Sequence, residues 1–272
     1  MLIDFHIHST ASFDAHDTMC DMALAAYGRG ARLICFTDHV DLDDYRTGQP
    51  DPHCFGNREE MLRQYAQVRD TAPADLEVLW GIELGQANHD LPRARDIAAA
   101  PGLDFVIGSL HNLRATPDFS VLHYGSMDDC RSYLDRYTAE LLELAQADCY
   151  DVMAHIGYTR RYMLRDGYDL PLTMENHGDE LDAIFRTLIA GGRGIEMNCS
   201  GLRNPGIRDT IPVFSVIRRY RELGGEIITL GSDAHCTADA ALGNARGLEL
   251  LREAGFRYFT VFRQRKPEFI KL

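Results

Sequence analysis

Two histidines stand two residues apart near the start of the sequence, in the run Asp4-Phe5-His6-Ile7-His8. Apolar residues alternate with them, and this period-2 pattern predicts a β-strand over Leu2–Ile7. Side chains two apart on a strand project from the same face, about 6.6 Å apart along the strand. Two imidazoles placed in this way could hold a transition metal, although a polar surface stripe would show the same spacing.

Further histidines and carboxylates follow later apolar runs in the same way. Glu83 lies inside an apolar run, where a carboxylate is costly to bury unless a cation or an ion pair compensates it. A single histidine at a strand end is more often a hydrogen-bonded core residue, but its repetition here favours metal ligation. The strand-end residues in question are Asp38, His39, Glu83, His111, His155, Asp233 and His235.

The elements that must position these residues alternate between strand and helix. Apolar runs predict strands over residues 2–7, 33–37, 77–83, 105–110, 151–154, 194–198, 226–230 and 258–262. Helical patterns lie between them, among them 128–147 and 178–190. This alternation predicts an α/β fold with a parallel sheet. Every candidate residue then lies at the C-terminal end of a strand, where parallel barrels carry their chemistry.

Three predicted helix starts depend on individual residues. Asn57 and Glu60 form a pair with capping-box spacing, which predicts a helix beginning near Asn57. Pro92 and Pro212 stand where the first turns of two further helices are expected.

Length and composition bound the class of protein. At 272 residues the chain has the usual length of one (β/α) barrel, so we expect a single domain over residues 1–272. A net charge of −13 argues against a nucleic-acid-binding surface, and no apolar run approaches the ~20 residues of a membrane span. Seven cysteines without a CxxC pair, and no signal peptide, predict reduced thiols and a cytoplasmic location. The sequence leaves the oligomeric state open.

As an ordered set, the strand-end residues resemble the motifs of the PHP (polymerase and histidinol phosphatase) family. The resemblance runs from residue 4 to residue 235 and so covers nearly the whole chain. It implies a distorted (β/α)7-type barrel with two or three divalent metal ions (Zn, Fe and/or Mn) at its C-terminal mouth. The residues that carry it are Asp4, His6, His8, Asp38, His39, Glu83, His111, His155, Asp233 and His235.

The resemblance also implies how the ligands divide among the metals. One metal would take His6, His8, Glu83 and Asp233, a second Glu83, His111 and His155, and a third His39, His235 and a residue from the loop after the first strand. Asp14 occupies the position of that last ligand, and His16 is its competitor. Glu83 would then bridge two cations.

Within the family, the segment Gly194–Asn198 with its continuation to Arg203 and the segment 262–267 are similar to the stand-alone histidinol-phosphate phosphatase branch. This similarity implies hydrolysis of L-histidinol phosphate to L-histidinol and phosphate, a step of histidine biosynthesis, through attack by a metal-activated hydroxide. Glu83, Asp233 and His235 would be the catalytic residues. The leaving alcohol could receive its proton from His235 or from water.

Substrate binding is predicted from charged loop residues. Arg160, Arg161 and Arg203 follow the fifth and sixth strands and could clamp a phosphate. Three acids after His39, namely Asp41, Asp43 and Asp44, could face the cationic end of a small phosphomonoester.

Two kinds of alternative function remain. The chain could be another PHP phosphoesterase: a nucleotide or oligonucleotide phosphatase, a nuclease or a phosphotyrosine phosphatase. A nuclease should show a basic track for the nucleic-acid strand, and none is visible. The chain could also be a non-enzymatic metal-binding regulatory module, which degenerate ligands would mark, yet the ligand set is complete.

Overall fold

A computed structural model describes all 272 residues, and its main sheet has seven parallel strands in sequential order. The strands are β1 (Leu2–Ile7), β2 (Ala31–Asp41), β3 (Glu77–Gly85), β4 (Phe105–Ser109), β5 (Val152–Met153), β6 (Gly194–Asn198) and β7 (Ile228–Gly231). Sequential parallel order arises when each strand is followed by a crossover on the same side of the sheet.

Nine helices follow the strands, and several of them pack on the outside of this sheet. They are α1 (Met19–Gly28), α2 (Arg58–Thr71), α3 (Leu91–Ala98), α4 (Met127–Gln146), α5 (Arg160–Arg165), α6 (Met174–Ala190), α7 (Ser200–Arg203), α8 (Phe214–Glu222) and α9 (Asn244–Glu253). Because helices cover the outer face and side chains fill the interior, the strands are buried on both sides, as in β1, where residues 3–7 are all buried.

The first and last barrel strands meet at the end of the sheet that carries the candidate residues. His8 N–H donates to the Ala234 carbonyl at 2.9 Å, and Asp233 N–H donates to the His6 carbonyl at 2.8 Å. An isolated parallel bridge joins Ile7 to Ala234. These bonds bring the ends of β1 and β7 together, and the prediction of a distorted (β/α)7-type barrel is confirmed.

The predicted strand near the C-terminus lies outside the barrel. It forms β8 (Tyr258–Arg263), which pairs antiparallel with β9 (Lys266–Lys271) in a separate hairpin. Gln264 and Arg265 make the connecting turn with φ of 52° and 62°. Asn-Gly or Asp-Gly usually signals a turn with two positive φ angles, and Gln264-Arg265 is neither, so the hairpin was not predicted.

Helix starts show where local signals hold. Pro92 lies in the first turn of α3, as predicted. The prediction for Pro212 is wrong, because Ile211 is held extended by paired backbone hydrogen bonds with Asn198 and α8 begins only at Phe214. The predicted helix 178–190 is the part of α6 that follows a break in helical geometry at His177.

The capping-box interpretation of Asn57 and Glu60 is also wrong. Asn57 precedes α2 without a side-chain cap bond. Its amide instead donates to the carbonyls of Ala11 and His39 at 2.8 and 3.0 Å, and so ties the loop after β1 to the end of β2.

No helix combines the length and apolar character needed to cross a membrane.

Candidate metal centre

Glu83 is the centre of the candidate site. It lies on β3 with its side chain about 1% exposed. Its Oε1 is 2.8 Å from His155 Nε2 and 3.0 Å from His111 Nε2. The two imidazoles end β5 and β4 on one side of the barrel mouth, so their Nε2 atoms share one carboxylate oxygen.

The second oxygen of Glu83 faces a different set of imidazoles. Glu83 Oε2 lies 3.0 Å from His39 Nδ1, 3.3 Å from His6 Nε2 and 3.5 Å from His8 Nε2. The predicted period-2 arrangement of His6 and His8 on β1 is what aims both rings inward. One carboxylate therefore meets five imidazoles, which come from the ends of four strands that are far apart in sequence.

Asp233 completes the side of the cluster next to β1. Its Oδ1 is 3.6 Å from His8 Nε2 and 3.9 Å from His6 Nε2. Its backbone has φ of 54°, in the left-handed region that is uncommon outside glycine and that Asp adopts more readily than most residues. This backbone turn follows β7 directly and points the carboxylate back into the barrel mouth.

Asp14, and not His16, meets the histidines of the third predicted metal. Asp14 Oδ2 lies 3.2 Å from His235 Nε2 and 3.6 Å from His39 Nε2. The His8 ring stacks on the His235 and His39 rings, with centroids 4.1 and 4.4 Å apart. His16 is exposed, so the structure brings together the set that includes Asp14.

The donor atoms of this cluster fit divalent cations. His6 Nε2, His8 Nε2, His39 Nδ1 and Glu83 Oε2 are buried and have no hydrogen-bond partner. Leaving such atoms unpaired costs about 1–3 kcal/mol each, and a cation would remove that cost. Three groups of side chains have ligand atoms within 4.8 Å of one another: His6, His8 and Glu83; His39, Glu83 and His111; and His8, His39 and His235. Imidazole with carboxylate suits Zn, Fe or Mn.

The protonation of the cluster is linked to cation binding. Burial opposes ionisation of Glu83, but His111, His6 and His39 outweigh it and hold the pKa of that carboxyl well below its usual range. Burial also opposes protonation of His111, yet Glu83 and Asp41 raise the pKa of His111 to about 10. A metal ion therefore has to displace protons from these rings, and acid conditions should weaken its binding.

Polar groups behind the histidines fix the orientation of the rings. His6 Nδ1 lies 2.7 Å from Glu196 Oε1, and both residues are fully buried. His111 Nδ1 lies 2.8 Å from Asp41 Oδ1, and His8 Nδ1 lies 3.3 Å from Ser12 Oγ.

Sequence reasoning gave Glu196 no role. Glu196 shows the same sequence pattern as Glu83: an acid inside an apolar run, here between Ile195 and Met197. Asp41 was predicted to face the substrate, but the structure places it against a histidine ring, because β2 extends as far as Asp41 and pairs it with Gly85. Among the other predicted acids, Asp43 is engaged by His89 and Asn112, at 2.6 and 3.1 Å.

Two further carboxylates of the family-like set hold loops. Asp38 accepts hydrogen bonds from Ser9 N–H at 2.6 Å and Ser12 Oγ at 2.7 Å. Asp4 accepts from Ser232 N–H at 2.7 Å and Ala241 N–H at 2.8 Å. These carboxylates position the loops that carry Asp14 and Asp233.

The three predicted arginines have different surroundings. Arg161 donates to Ser200 Oγ at 2.7 Å and Asp233 Oδ2 at 3.0 Å, and it lines a cavity of about 210 Å³ with the cluster. Arg203 donates to the carbonyls of Ser232 and Asp233 and thereby supports the backbone that carries Asp233.

Arg160 is not brought to the cluster. It forms a two-bond ion pair with Asp169, at 2.7 and 3.1 Å. Adjacent residues on α5 point about 100° apart around the helix axis, so only one of Arg160 and Arg161 can face the cavity.

The chain is similar to known proteins over most of its length. The sequence profile of the PHP domain matches residues 4–200. The chain belongs to the PHP domain family. A PHP relative from Thermotoga maritima, named probable histidinol-phosphatase, is 25% identical over 262 residues, which cover 96% of this chain and 95% of that protein. A probable phosphatase from Photobacterium profundum is 26% identical over 270 residues, covering 99% of this chain and 92% of that protein.

A solved PHP structure shares the whole fold. The crystal structure of histidinol phosphate phosphatase from Lactococcus lactis, complexed with zinc, L-histidinol and phosphate, superposes with a TM-score of 0.80 at 23% identity. The match covers 98% of each chain. The prediction that the chain belongs to the PHP family is confirmed.

Proposed function

We propose that this PHP protein is a phosphomonoesterase that hydrolyses L-histidinol phosphate with two or three divalent cations held at the barrel mouth. The observation that carries the proposal is the position of Glu83, whose two oxygens face five imidazoles from four strand ends, next to a cavity that Arg161 lines. Bound cations would lower the pKa of a water molecule and neutralise charge on a phosphate.

We assign the ligand sets that the family resemblance implies, and the short distances within the cluster support them. His6, His8, Glu83 and Asp233 would hold one cation, and Glu83 would share the next with His111 and His155. Asp14, His39 and His235 would hold the third. The division includes His6, His8, His39 and Glu83, each of which has a buried ligand atom without a hydrogen-bond partner. Glu83 is central to it, because its two oxygens face different groups of rings.

Arg161 is the residue we assign to the phosphate. Ser200 and Asp233 use one of its nitrogen atoms, and a guanidinium has five N–H donors in a planar fork. Donors on its other nitrogen atoms are not used in these two bonds, and Arg161 lines the same cavity as the cluster. A phosphate there would meet a fixed cation beside the proposed metals. With two cations bound, His235, one-quarter exposed at the same cavity, would give the leaving alcohol its proton; with His235 holding a third cation, water would supply it.

The leaving group has an acidic cavity beside the cluster. This cavity has a volume of about 420 Å³. It is lined by His39 of the cluster and by Asp41, which contacts His111, and it continues past Asp44 and Asp51. Phe13, exposed at 61%, stacks on Tyr45 at its rim with ring centroids 4.7 Å apart. Histidinol carries an ammonium group and an imidazole, so carboxylates and stacked aromatic rings suit it. The same carboxylates would repel the second phosphate of a nucleotide.

A phosphate-release panel tests the substrate. Histidinol phosphate, p-nitrophenyl phosphate, phosphotyrosine and a nucleoside bisphosphate are compared with the metal-loaded protein. We expect kcat/KM for histidinol phosphate to exceed that for each of the others by at least about tenfold, the effect of one well-placed charged contact. A preference for the nucleoside bisphosphate or phosphotyrosine would overturn the assignment, and no turnover of any ester would overturn the phosphatase proposal itself.

A further inference from the structure

A buried carboxylate on β6 contacts two of the proposed metal-ligand residues without facing the cluster itself. Glu196 is 0% exposed. Its Oε1 lies 2.7 Å from His6 Nδ1. Its Oε2 accepts from the backbone N–H of His155 at 2.9 Å and from the Asn198 amide at 3.2 Å. Both oxygens are therefore engaged by donors.

This contact determines which nitrogen of His6 is available to a metal. A carboxylate can only accept hydrogen bonds, so the ring nitrogen that faces Glu196 has to carry a hydrogen. In a neutral imidazole the other nitrogen is then an acceptor. That other nitrogen, His6 Nε2, is the one aimed at Glu83 Oε2, at 3.3 Å. A carboxylate behind a ligating histidine commonly fixes tautomer and ring direction in this way.

The second oxygen links this histidine to another strand. His155 lies two residues after the end of β5, and its Nε2 contacts the other oxygen of Glu83, Oε1. One carboxylate on β6 thus holds the ring of His6 from β1 and the backbone of His155. The separation of these two residues is set by a single rigid group.

The neighbouring strand leaves room for this arrangement. A Cβ at Gly231 would stand 2.3 Å from His6 Cβ and 2.5 Å from Glu196 Oε1. Any larger residue at this position of β7 would push the two side chains apart. Glycine is required here for the close approach of His6 and Glu196.

We infer that Glu196 is a positioning residue, which keeps His6 in the tautomer with a free Nε2 and sets its spacing from His155. The inference rests on the proposed metal centre. It extends that centre from the side chains that face the metals to a group that faces none of them.

The substitution E196Q tests this role because an amide cannot satisfy all three donors. The single amide oxygen is best placed toward the two donors from His155 and Asn198. The amide NH2 then faces His6 Nδ1 and selects the tautomer whose hydrogen is on Nε2. We expect zinc binding, measured by competition with a chromogenic chelator, to weaken by about 10–100-fold for one ion per chain.

D151N is the matched control. Asp151 is also a mostly buried carboxylate that accepts a backbone N–H bond, from Val106 at 2.8 Å, but it precedes β5 at the opposite end of the barrel. We expect D151N to lower the unfolding midpoint of the metal-free protein and to keep wild-type zinc affinity. Nitrogen-15 NMR of the histidine rings in the zinc-loaded proteins should show a changed tautomer in E196Q and not in D151N.

The outcomes separate this inference from the proposed function. Wild-type zinc affinity in folded E196Q, or equal losses of affinity in E196Q and D151N, would overturn the positioning role while the metal centre stands. If wild-type protein binds no zinc, the proposed metal centre itself fails. Should E196Q not fold, E196D retains the charge but reaches only one of the two partners, and wild-type affinity in that variant would overturn the inference. If neither variant folds, Glu196 is a folding determinant, which also overturns it.

Discussion

Arg161 and Asp233 form an ion pair at the barrel mouth, with 3.0 Å between Nη2 of the guanidinium and Oδ2 of the carboxylate. The other oxygen of Asp233 faces His6 and His8. Asp233 thus contacts both the guanidinium of Arg161 on α5 and the proposed metal ligands His6 and His8. A phosphate bound at the proposed metal centre would therefore lie near Arg161.

Substitution of Arg161 by alanine should weaken catalysis without loss of metal. Removing a charged hydrogen bond to phosphate is expected to cost about 1.5–3 kcal/mol in kcat/KM, or roughly 10–150-fold. Arg160→Ala is the control, because Arg160 is on the same helix but pairs with Asp169. Steady-state kinetics and metal analysis of both variants check this, and equal kcat/KM for the two would remove Arg161 from the phosphate site.

Glu83→Gln should reduce kcat by about 10³ or more, because the amide keeps the volume but cannot draw two cations together. Glu77→Gln is a suitable control on the same strand, since Glu77 is 43% exposed and pairs with Arg263 far from the cluster. Turnover and metal content are measured together. Near wild-type turnover of the Glu83→Gln protein would show that Glu83 does not bridge two cations.

The metal content should be at least two transition-metal ions per chain in protein purified without chelator. Chelation should abolish activity, and added Zn or Mn should restore part of it. Asp14→Asn should lower the content toward one ion fewer, whereas His16→Asn should leave it unchanged because His16 is exposed. Elemental analysis measures the metal content of each protein. Fewer than one ion per chain in the wild type would contradict the proposed metal centre.

His89 should make stability depend on pH. Its ring bridges Asp43 at 2.6 Å and Glu140 at 2.8 Å. Burial opposes its protonation, but these two carboxylates outweigh burial and raise the pKa of His89 above its ordinary value. A raised folded-state pKa stabilises the protein fully below the unfolded value of about 6.5 and no longer does so once pH exceeds the folded value.

The variant His89→Gln should therefore lose about 2 kcal/mol of unfolding free energy at pH 6, and less at alkaline pH. Denaturant unfolding at pH 6 and pH 9 measures the difference. His123→Gln is the control, because the His123 side chain is 79% exposed. A deficit in His89→Gln that is the same at both pH values would show that the charge on His89 contributes nothing.

Much of the fold was predictable because its signals are local. Period-2 apolar runs identified β1, and polar residues directly after the strands identified the histidines and acids of the barrel mouth. Parallel connectivity then required these ends to meet. Asp14 could be favoured over His16 only through the family resemblance, since both lie on the same loop.

The features that escaped prediction depend on tertiary contacts. Asn57 has the spacing of a helix cap, but two carbonyls from other elements take its amide. The sequence alone does not distinguish Arg160 from Arg161, because which of them faces the barrel mouth depends on how α5 is rotated about its axis. Glu196 resembled any acid in a strand, because its partners lie on strands that come from distant parts of the sequence.

The closing of the barrel between β1 and β7 also bears on the synthesis of the protein. His6 and His8 are made more than two hundred residues before Asp233 and His235. Until β7 is complete, the early histidines have neither Asp233 nor the backbone bonds that hold β1 in place. A chain still being synthesised thus carries these histidines without their full set of neighbours, and the proposed metal centre is complete only after β7 and the residues that follow it have been made.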